Sequence, residues 1–206
     1  MQVLRELYII RHGQTDHNAQ GIVQGKGVNL PLNNLGRTQA QQFFDTYKNV
    51  PFDGLFASSL LRAQQSIELF RNSNMPFEIC SDLDEISWGK MEGQTNTQEN
   101  DAGFQQMLKD WSAGKIHEKF IDGESPFELQ QRQKKFIQQF LNSSHKKVLI
   151  ATHGRFIRAF MCTLTGTDLS QMESFHHQNL CLYKVNYLED ETFKIELSCD
   201  TRHLTS

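Results

Sequence analysis

The chain has 206 residues, enough for one domain with a sizeable buried core. It is 38% hydrophobic and 22% charged with a formal charge of -3, which reads as a soluble globular protein and excludes nucleic acid or an anionic membrane as its main partner. No apolar run approaches the ~18 to 20 residues of a membrane helix. With no signal peptide at the N-terminus, Cys80, Cys162, Cys181 and Cys199, which form no CxxC pair, are expected to be free thiols in a reducing, cytoplasmic compartment.

The first element is the short apolar run LYII, residues 7–10, read as a buried strand that stops at Arg11, His12 and Gly13. Residues 14–33, rich in Gly, Asn, Gln and Asp and containing Pro31, read as an extended functional loop. LGRTQAQQFFDTYKN is helical in pattern, with Ala40, Phe43, Phe44 and Tyr47 near helical spacing. FDGLFAS returns to strand, and SSLLRAQQSIELF is a second helix with Ser58 or Ser59 as its cap. FEIC is a short strand. From Asp82 to Asp122 the pattern loosens, and Trp88, Met91, Phe104, Met107, Leu108 and Trp111 among polar residues suggest a lid excursion at about 88–122. SPFELQQRQKKFIQQFL opens with a cap, a proline and a capping-box glutamate (Ser125, Pro126, Glu128). A strand at 147–152, a helix over about 155–164, and the β-rich stretches LCLYKVNY and TFKIELS complete the chain. The alternation predicts a three-layer α/β/α sandwich around a mostly parallel sheet, residues 1–206 forming a single domain.

In such sheets ligands bind at the carboxyl ends of the strands. His12 and His153 both stand there, each followed by glycine. Arg11 adjoins His12, and Arg62 lies in the first turn or so of the helix after the second strand. Gly13 and Gly154 read as points where a ligand approaches the backbone closely. The helix after Gly154 aims its N-terminal amides at the same place. Arginines, a helix N-terminus and glycine turns describe a site for a tetrahedral anion, with phosphate the obvious choice. The sequence has no CxxxxxR loop, P-loop or GxSxG elbow. A neutral imidazole is then the candidate nucleophile, reacting through phosphohistidine. Taken singly, His12 reads equally as a hydrogen-bonded turn residue and Arg62 as a solvated helix arginine. Asp82, Asp84 and Glu85 form an acidic cluster, but no HxxxE, HExxH or DxD framing accompanies it, so no metal or cofactor is expected.

The segment RHGQTDHN resembles the RHG[EQ]Tx(x)N signature of the histidine phosphatase superfamily, the phosphoglycerate mutase-like proteins. QGKGVNLPLNNLGRTQA, SSLLRAQQS, LDEISWGKMEG, DGESPFELQQR, ATHGRFIRA and CDTRHL are similar, in order, to further motifs of that family (QG…PLxxxGxxQA, SPLxRAxQT, LxExxxGxxEG, GGESxxEvxxR, vsHGgxIRa and NDTxHL). The resemblance covers most of the chain. It implies His12 as nucleophile, with Arg11, Arg62 and His153 on the phosphate. Thr15, Asn18, Gln24, Gly25 and Gly154 are implied as substrate or phosphate contacts. Glu85 is implied as a general acid whose carboxyl is protonated before transfer, against the blander reading of a helix-cap carboxylate. Glu92 is a second carboxylate nearby. His176 and His177 read either as loop histidines or as part of the substrate rim, and Asn179, at the start of the strand LCLYKV, is within reach of the site. His17, His117, His145 and His203 are read as surface or structural.

Ile22 stands where many relatives have arginine, Ser59 where proline is common, and the paired-arginine insert of the cofactor-dependent mutases has no counterpart. Hydrolysis is therefore the expected outcome, as in the small phosphatase branch, with a small phosphorylated metabolite as partner. Phosphoglycerate mutase-type transfer and a protein phosphohistidine or phosphoserine phosphatase are the alternatives. A non-catalytic phosphate-binding module is disfavoured by the joint presence of the five residues named for the chemistry. The oligomeric state is left open.

Overall fold

A computed structural model describes residues 1–71, 75–95 and 98–205. Its centre is a six-stranded sheet in the order β3-β2-β4-β1-β5-β6. The strands are β1 (Val3–Arg11), β2 (Gly54–Ala57), β3 (Phe77–Ile79), β4 (Lys147–Thr152), β5 (Leu182–Leu188) and β6 (Phe193–Asp200). β1, β2, β3 and β4 pair in parallel, and only β5 runs against its neighbours. Helices occupy both faces, so the expected α/β architecture is present, and its apolar runs follow from it. In β1, Leu7 and Ile9 enter one core cluster while Tyr8 and Ile10 enter the other. β4 divides likewise, with Val148 and Ile150 on one side and Leu149 and Ala151 on the other. A strand covered on both faces needs apolar residues at every position rather than at alternate ones. Edge strand β6 alternates half-buried Phe193, Ile195 and Leu197 with exposed Lys194 and Glu196.

The helices are α1 (Asp16–Gln20), α2 (Asn34–Tyr47), α3 (Leu61–Ile67), α4 (Gln98–Ser112), α5 (Pro126–Asn142) and α6 (Gly154–Thr165). α2 and α3 supply Phe43, Ala63 and Ile67 to one face of the sheet; α5 and α6 supply Phe136, Phe140, Phe156 and Phe160 to the other. The α5 start is as expected: Ser125 accepts from the Glu128 amide, Glu128 accepts from the Ser125 amide, and Pro126 takes the first turn. The cap of α3 is not. Leu60 holds the N-cap position without a side-chain bond; Ser58 Oγ accepts the Leu60 amide at 3.1 Å, and both serine hydroxyls donate to Asp84.

Two elements stand where the sequence reading has a loop and a loosely patterned excursion. α1 interrupts the loop over 14–33 and is opened by a Thr15–Asn18 capping box. α4 fills much of the loosely patterned region, and Trp88, Phe104, Trp111 and Phe120 gather into an aromatic cluster, with Trp88 and Trp111 stacked at 5.6 Å. Among the described residues no helix is long and apolar enough to cross a membrane.

Candidate active site

The parallel register places Arg11 opposite Thr152, so the residues that follow, His12 and His153, leave the sheet side by side. The His12 amide donates to the Thr152 carbonyl at 2.9 Å, and the two imidazole centroids are 5.1 Å apart. β2 runs parallel to β4 on the other flank, and the Ser58 amide donates to Ala151 at 3.0 Å. The three strand ends border a cavity of about 270 Å³ lined by Arg11, His12, Asn18, Val23, Gln24, Glu85, Trp88, Phe104, Gly154, Arg155 and His177. Roomier clefts of about 620 and 730 Å³ lie elsewhere, and neither contains a histidine.

His12 is buried and oriented at both ring nitrogens. Nδ1 lies 2.7 Å from the Gly13 carbonyl, an acceptor, so Nδ1 carries the proton. Nε2 keeps its lone pair and accepts from Arg62 Nε at 3.3 Å. Burial first, then the Arg62 and Arg11 charges, hold this imidazole well below its ordinary value. It is therefore neutral near pH 7, with the Nε2 electron pair engaged by the Arg62 hydrogen bond. Arg62 is no solvated helix arginine. It is fully buried, it also donates to the Val28 and Gly25 carbonyls, and burial draws its pKa down to about 10. Arg11 donates to His177 Nδ1 at 3.2 Å, while its own Nε is buried without a partner among the described residues.

A buried chain of hydrogen bonds fixes the second histidine. Asp84 accepts from Ser58 Oγ at 2.7 Å, from the Ser59 amide at 2.8 Å and from Ser59 Oγ. With its hydrogen committed to Asp84, Ser58 Oγ must accept from His153 Nε2, 2.7 Å away. The Nε2–H tautomer follows, and Nδ1 is left buried with no partner among the described residues. Burial and then the Arg62 charge keep His153 well below its ordinary value. Ser59, where relatives commonly have proline, contributes an amide and a hydroxyl that proline lacks.

Glu85 reaches the cavity from the other side. Its carboxylate accepts the Arg155 amide at 3.0 Å, the Phe156 amide at 2.8 Å and its neighbour Ile86 at 2.9 Å. It thus caps the start of α6, as the blander reading holds, while also facing the cavity and offsetting the charges of Arg11 and Arg62. Arg132 of α5 pairs with Glu124 and donates to the Asp82 and Glu85 carbonyls, fixing this segment. The acidic cluster does not converge: Asp82 pairs with Lys135, Asp84 with the serines, and Glu85 with α6. Glu92 lies outside the cavity lining, accepting from the Gly27 and Trp88 amides.

Asn18 and Gln24 line the cavity, whereas Thr15 lies behind them, fully buried and accepting from the Asn18 amide and Gln24 Nε2. Gly25 sits under Glu92, where a side chain would collide with the carboxylate. The space expected over Gly154 for a ligand holds the His177 ring, which a Cβ there would meet at 2.7 Å, and the space at Gly13 holds the Gly36 carbonyl. These glycines serve chain packing. Asn179 donates to the His12 carbonyl at 3.0 Å and to Asn18 Oδ1 at 3.1 Å. His177 lines the cavity, as its rim reading allows, whereas sequence reasoning gives Arg155 no role there and only its place directly after the HG pair hints at one.

Three kinds of comparison bear on this arrangement. Residues 7–201 match the family model described as "Histidine phosphatase superfamily (branch 1)". The adenosylcobalamin/alpha-ribazole phosphatase of Escherichia coli is 27% identical over 85% of this chain and 86% of its own. A Proteus mirabilis protein named "Probable phosphoglycerate mutase GpmB" is 27% identical over 97% and 95%. The solved structure of Bacillus stearothermophilus YhfR superposes with a TM-score of 0.84 at 25% identity, over 97% of this chain and 98% of that one.

Two outcomes follow from the geometry. Asp84→Asn removes the constraint that fixes Ser58 as acceptor. It should cost about 1 to 3 kcal/mol in urea unfolding, and nitrogen-15 NMR should show His153 losing its pure Nε2–H form. An unchanged tautomer would remove Asp84 from that role. The second outcome concerns pH. His12 and His153 sit well below ~6.5, and burial followed by the Arg11 charge pushes His177 down to about 2. Below that reference value the unfolded chain binds protons that the folded chain does not. Stability is therefore full above ~6.5 and falls with pH, by up to about 1.4 kcal/mol per pH unit for each such histidine. His177→Gln should make the loss between pH 7 and pH 5 shallower; an equal slope contradicts the assignment.

Proposed function

Because the chain belongs to the histidine phosphatase superfamily (branch 1), we propose that it is a metal-independent phosphatase that hydrolyses a small phosphomonoester through a phosphohistidine at His12. The observation that carries this reading is the neutral imidazole whose Nε2 lone pair accepts from the buried Arg62 guanidinium, with the Arg11 charge nearby and Nδ1–H tied to the Gly13 carbonyl. Such a nitrogen attacks phosphorus without first losing a proton. Arg11 and Arg62 neutralise the phosphoryl oxygens, which is most of what this chemistry asks of a protein. Asn18 and Gln24 supply neutral hydrogen bonds at the rim.

In the first step a bond forms from His12 Nε2 to phosphorus and the ester P–O bond breaks. The leaving alkoxide takes a proton from Glu85. The carboxyl is held at the cavity by the Arg155 and Phe156 amides. Water then attacks phosphorus, Glu85 takes the water proton, and His12 is released. His153, held in one tautomer through Ser58 and Asp84, stands neutral beside His12. Trp88 and Phe104 wall the cavity as part of a lid within a single domain, excluding water, while residues 96–97 of the expected lid lie outside the described residues. The unpaired cysteines suit a reducing cytoplasm.

The test is phosphate release from a panel of small phosphomonoesters. Release should survive a chelator and fall by at least about a hundredfold in His12→Ala. Loss of release with chelator, or full release by the variant, overturns the mechanism. Isomerisation of phosphoglycerate with little net phosphate would favour the mutase-type reading that one relative's name suggests.

A further inference from the structure

Four free thiols stand outside the proposed chemistry, and two of them meet beside it. Cys181 precedes β5, and Cys199 lies near the end of β6. The ladder pairs Leu182 with Asp200 and shifts register before Lys184, so the two cysteines stand diagonally across it beside a bulge. Leu180 and Cys199 both hold left-handed backbone, with φ 54 and 48. A residue with a side chain adopts that conformation where its surroundings impose it. Cys181 belongs to a core cluster against which Cys199 packs. The Cys181 S–H donates to the Cys199 sulfur, and the Gln178 amide is shared between both sulfurs.

The two thiols differ in chemistry. The bond from Cys181, then the Gln178 amide and the Arg11 and Arg158 charges, draw Cys199 below its ordinary value against the effect of burial. The same bond, with burial, pushes Cys181 up. Cys199 is half-buried, whereas Cys181 is fully buried. A partly exposed thiolate beside guanidiniums, with a second thiol in contact, is the arrangement of a sensor cysteine and its resolving partner. Cys80 and Cys162 differ, since burial pushes both up. The pair is also tied to the cavity. The Arg11 amide donates to the Cys181 carbonyl at 3.3 Å, and the Leu180 amide donates to the Arg11 carbonyl at 3.1 Å.

We infer that Cys199 and Cys181 form an oxidation site for a peroxide, closing a disulfide that displaces Arg11. The Cys199 thiolate attacks one peroxide oxygen and the O–O bond breaks. The departing hydroxide takes up a proton and leaves as water, and Cys199 carries a sulfenic acid. The Cys181 sulfur then attacks the Cys199 sulfur and the S–O bond breaks. The second hydroxide leaves as water with the Cys181 proton. Two thiols thus give up two electrons and one peroxide is reduced. A diagonal pair lies at the outer edge of the span that a disulfide bridges. Closure therefore draws the start of β5 towards β6 and shifts the carbonyl that holds the Arg11 backbone. The effect on Arg11 rests on the phosphate site proposed above; the oxidation itself does not.

The test treats the reduced chain with hydrogen peroxide, blocks free thiols with N-ethylmaleimide in denaturant, and maps the peptides by mass. A Cys181–Cys199 disulfide should form while Cys80 and Cys162 stay free, and dithiothreitol should reverse it. In Cys181→Ala the reaction should stop at a sulfenic acid on Cys199, trapped by dimedone; Cys199→Ser should give neither product. Circular dichroism checks the folding of both variants. Inorganic phosphate, titrated by calorimetry, should bind about threefold or more weaker to the oxidised wild type than to the reduced. Peroxide should leave its affinity for Cys199→Ser unchanged. Loss of the thiolate charge alone would favour an anion, so weaker binding reports the displacement of Arg11. Oxidation first at another cysteine, or a sulfinic acid on Cys199 with no bridge, overturns the site. A bridge that leaves phosphate affinity unchanged or raised overturns the link to Arg11. A reduced chain that neither binds phosphate nor hydrolyses p-nitrophenyl phosphate defeats the phosphatase reading, while the peptide map still decides the oxidation site.

Discussion

The active-site geometry depends on one ladder of hydrogen bonds, the parallel pairing of β1 with β4 that sets Arg11 opposite Thr152. A parallel pair ends both strands at the same edge, and these two end one residue before a histidine. A one-residue slip would send each side chain to the opposite face. The slip is prevented because both faces of both strands are buried against separate helix layers, so every side chain in the ladder is already committed. Core packing thereby holds two imidazoles 5.1 Å apart with no flexible loop between them and the sheet.

Burying that much potential charge is costly, and the site's hydrogen bonds are arranged accordingly. The three histidines near the cavity are kept neutral by burial and by neighbouring guanidiniums. The guanidiniums are offset by Glu85 and Glu173 and by carbonyl acceptors such as those of Val28 and Gly25. What remains is a small excess of positive charge and buried donors without partners among the described residues, at Arg11 and Arg155. An unsatisfied buried donor weakens the free protein. It becomes favourable when an anion arrives with the missing acceptors, so the same defects that cost stability suit the cavity to an anion.

Much of this is legible from the residues. LYIIRHG and VLIATHG announce buried strands ending in histidine, and SPFE announces the start of α5, because these signals are local. The five residues named for chemistry all converge on one region. The parts that stay hidden depend on contacts distant in sequence. Nothing local says that Ser58 and Ser59 spend their hydroxyls on Asp84 rather than on the helix that follows. Gly154 reads as room for a ligand until His177, far along the chain, is seen to fill it. α4 does carry one apolar stripe, Phe104, Met107, Leu108 and Trp111 at i, i+3, i+4 and i+7, which packs in part on Trp88 and Phe120; reading this stretch as a loose excursion overlooks that spacing. Glu85 is expected as an acid and is also a helix cap, a dual use that no spacing rule distinguishes.

The most direct measurement is to mix the enzyme with a phosphorus-32-labelled substrate, quench within milliseconds, and map the label. The account predicts a base-stable, acid-labile phosphoryl group on Nε2 of His12, formed and lost at rates compatible with turnover. Label on another residue, or turnover with none on the protein at any time, would contradict it.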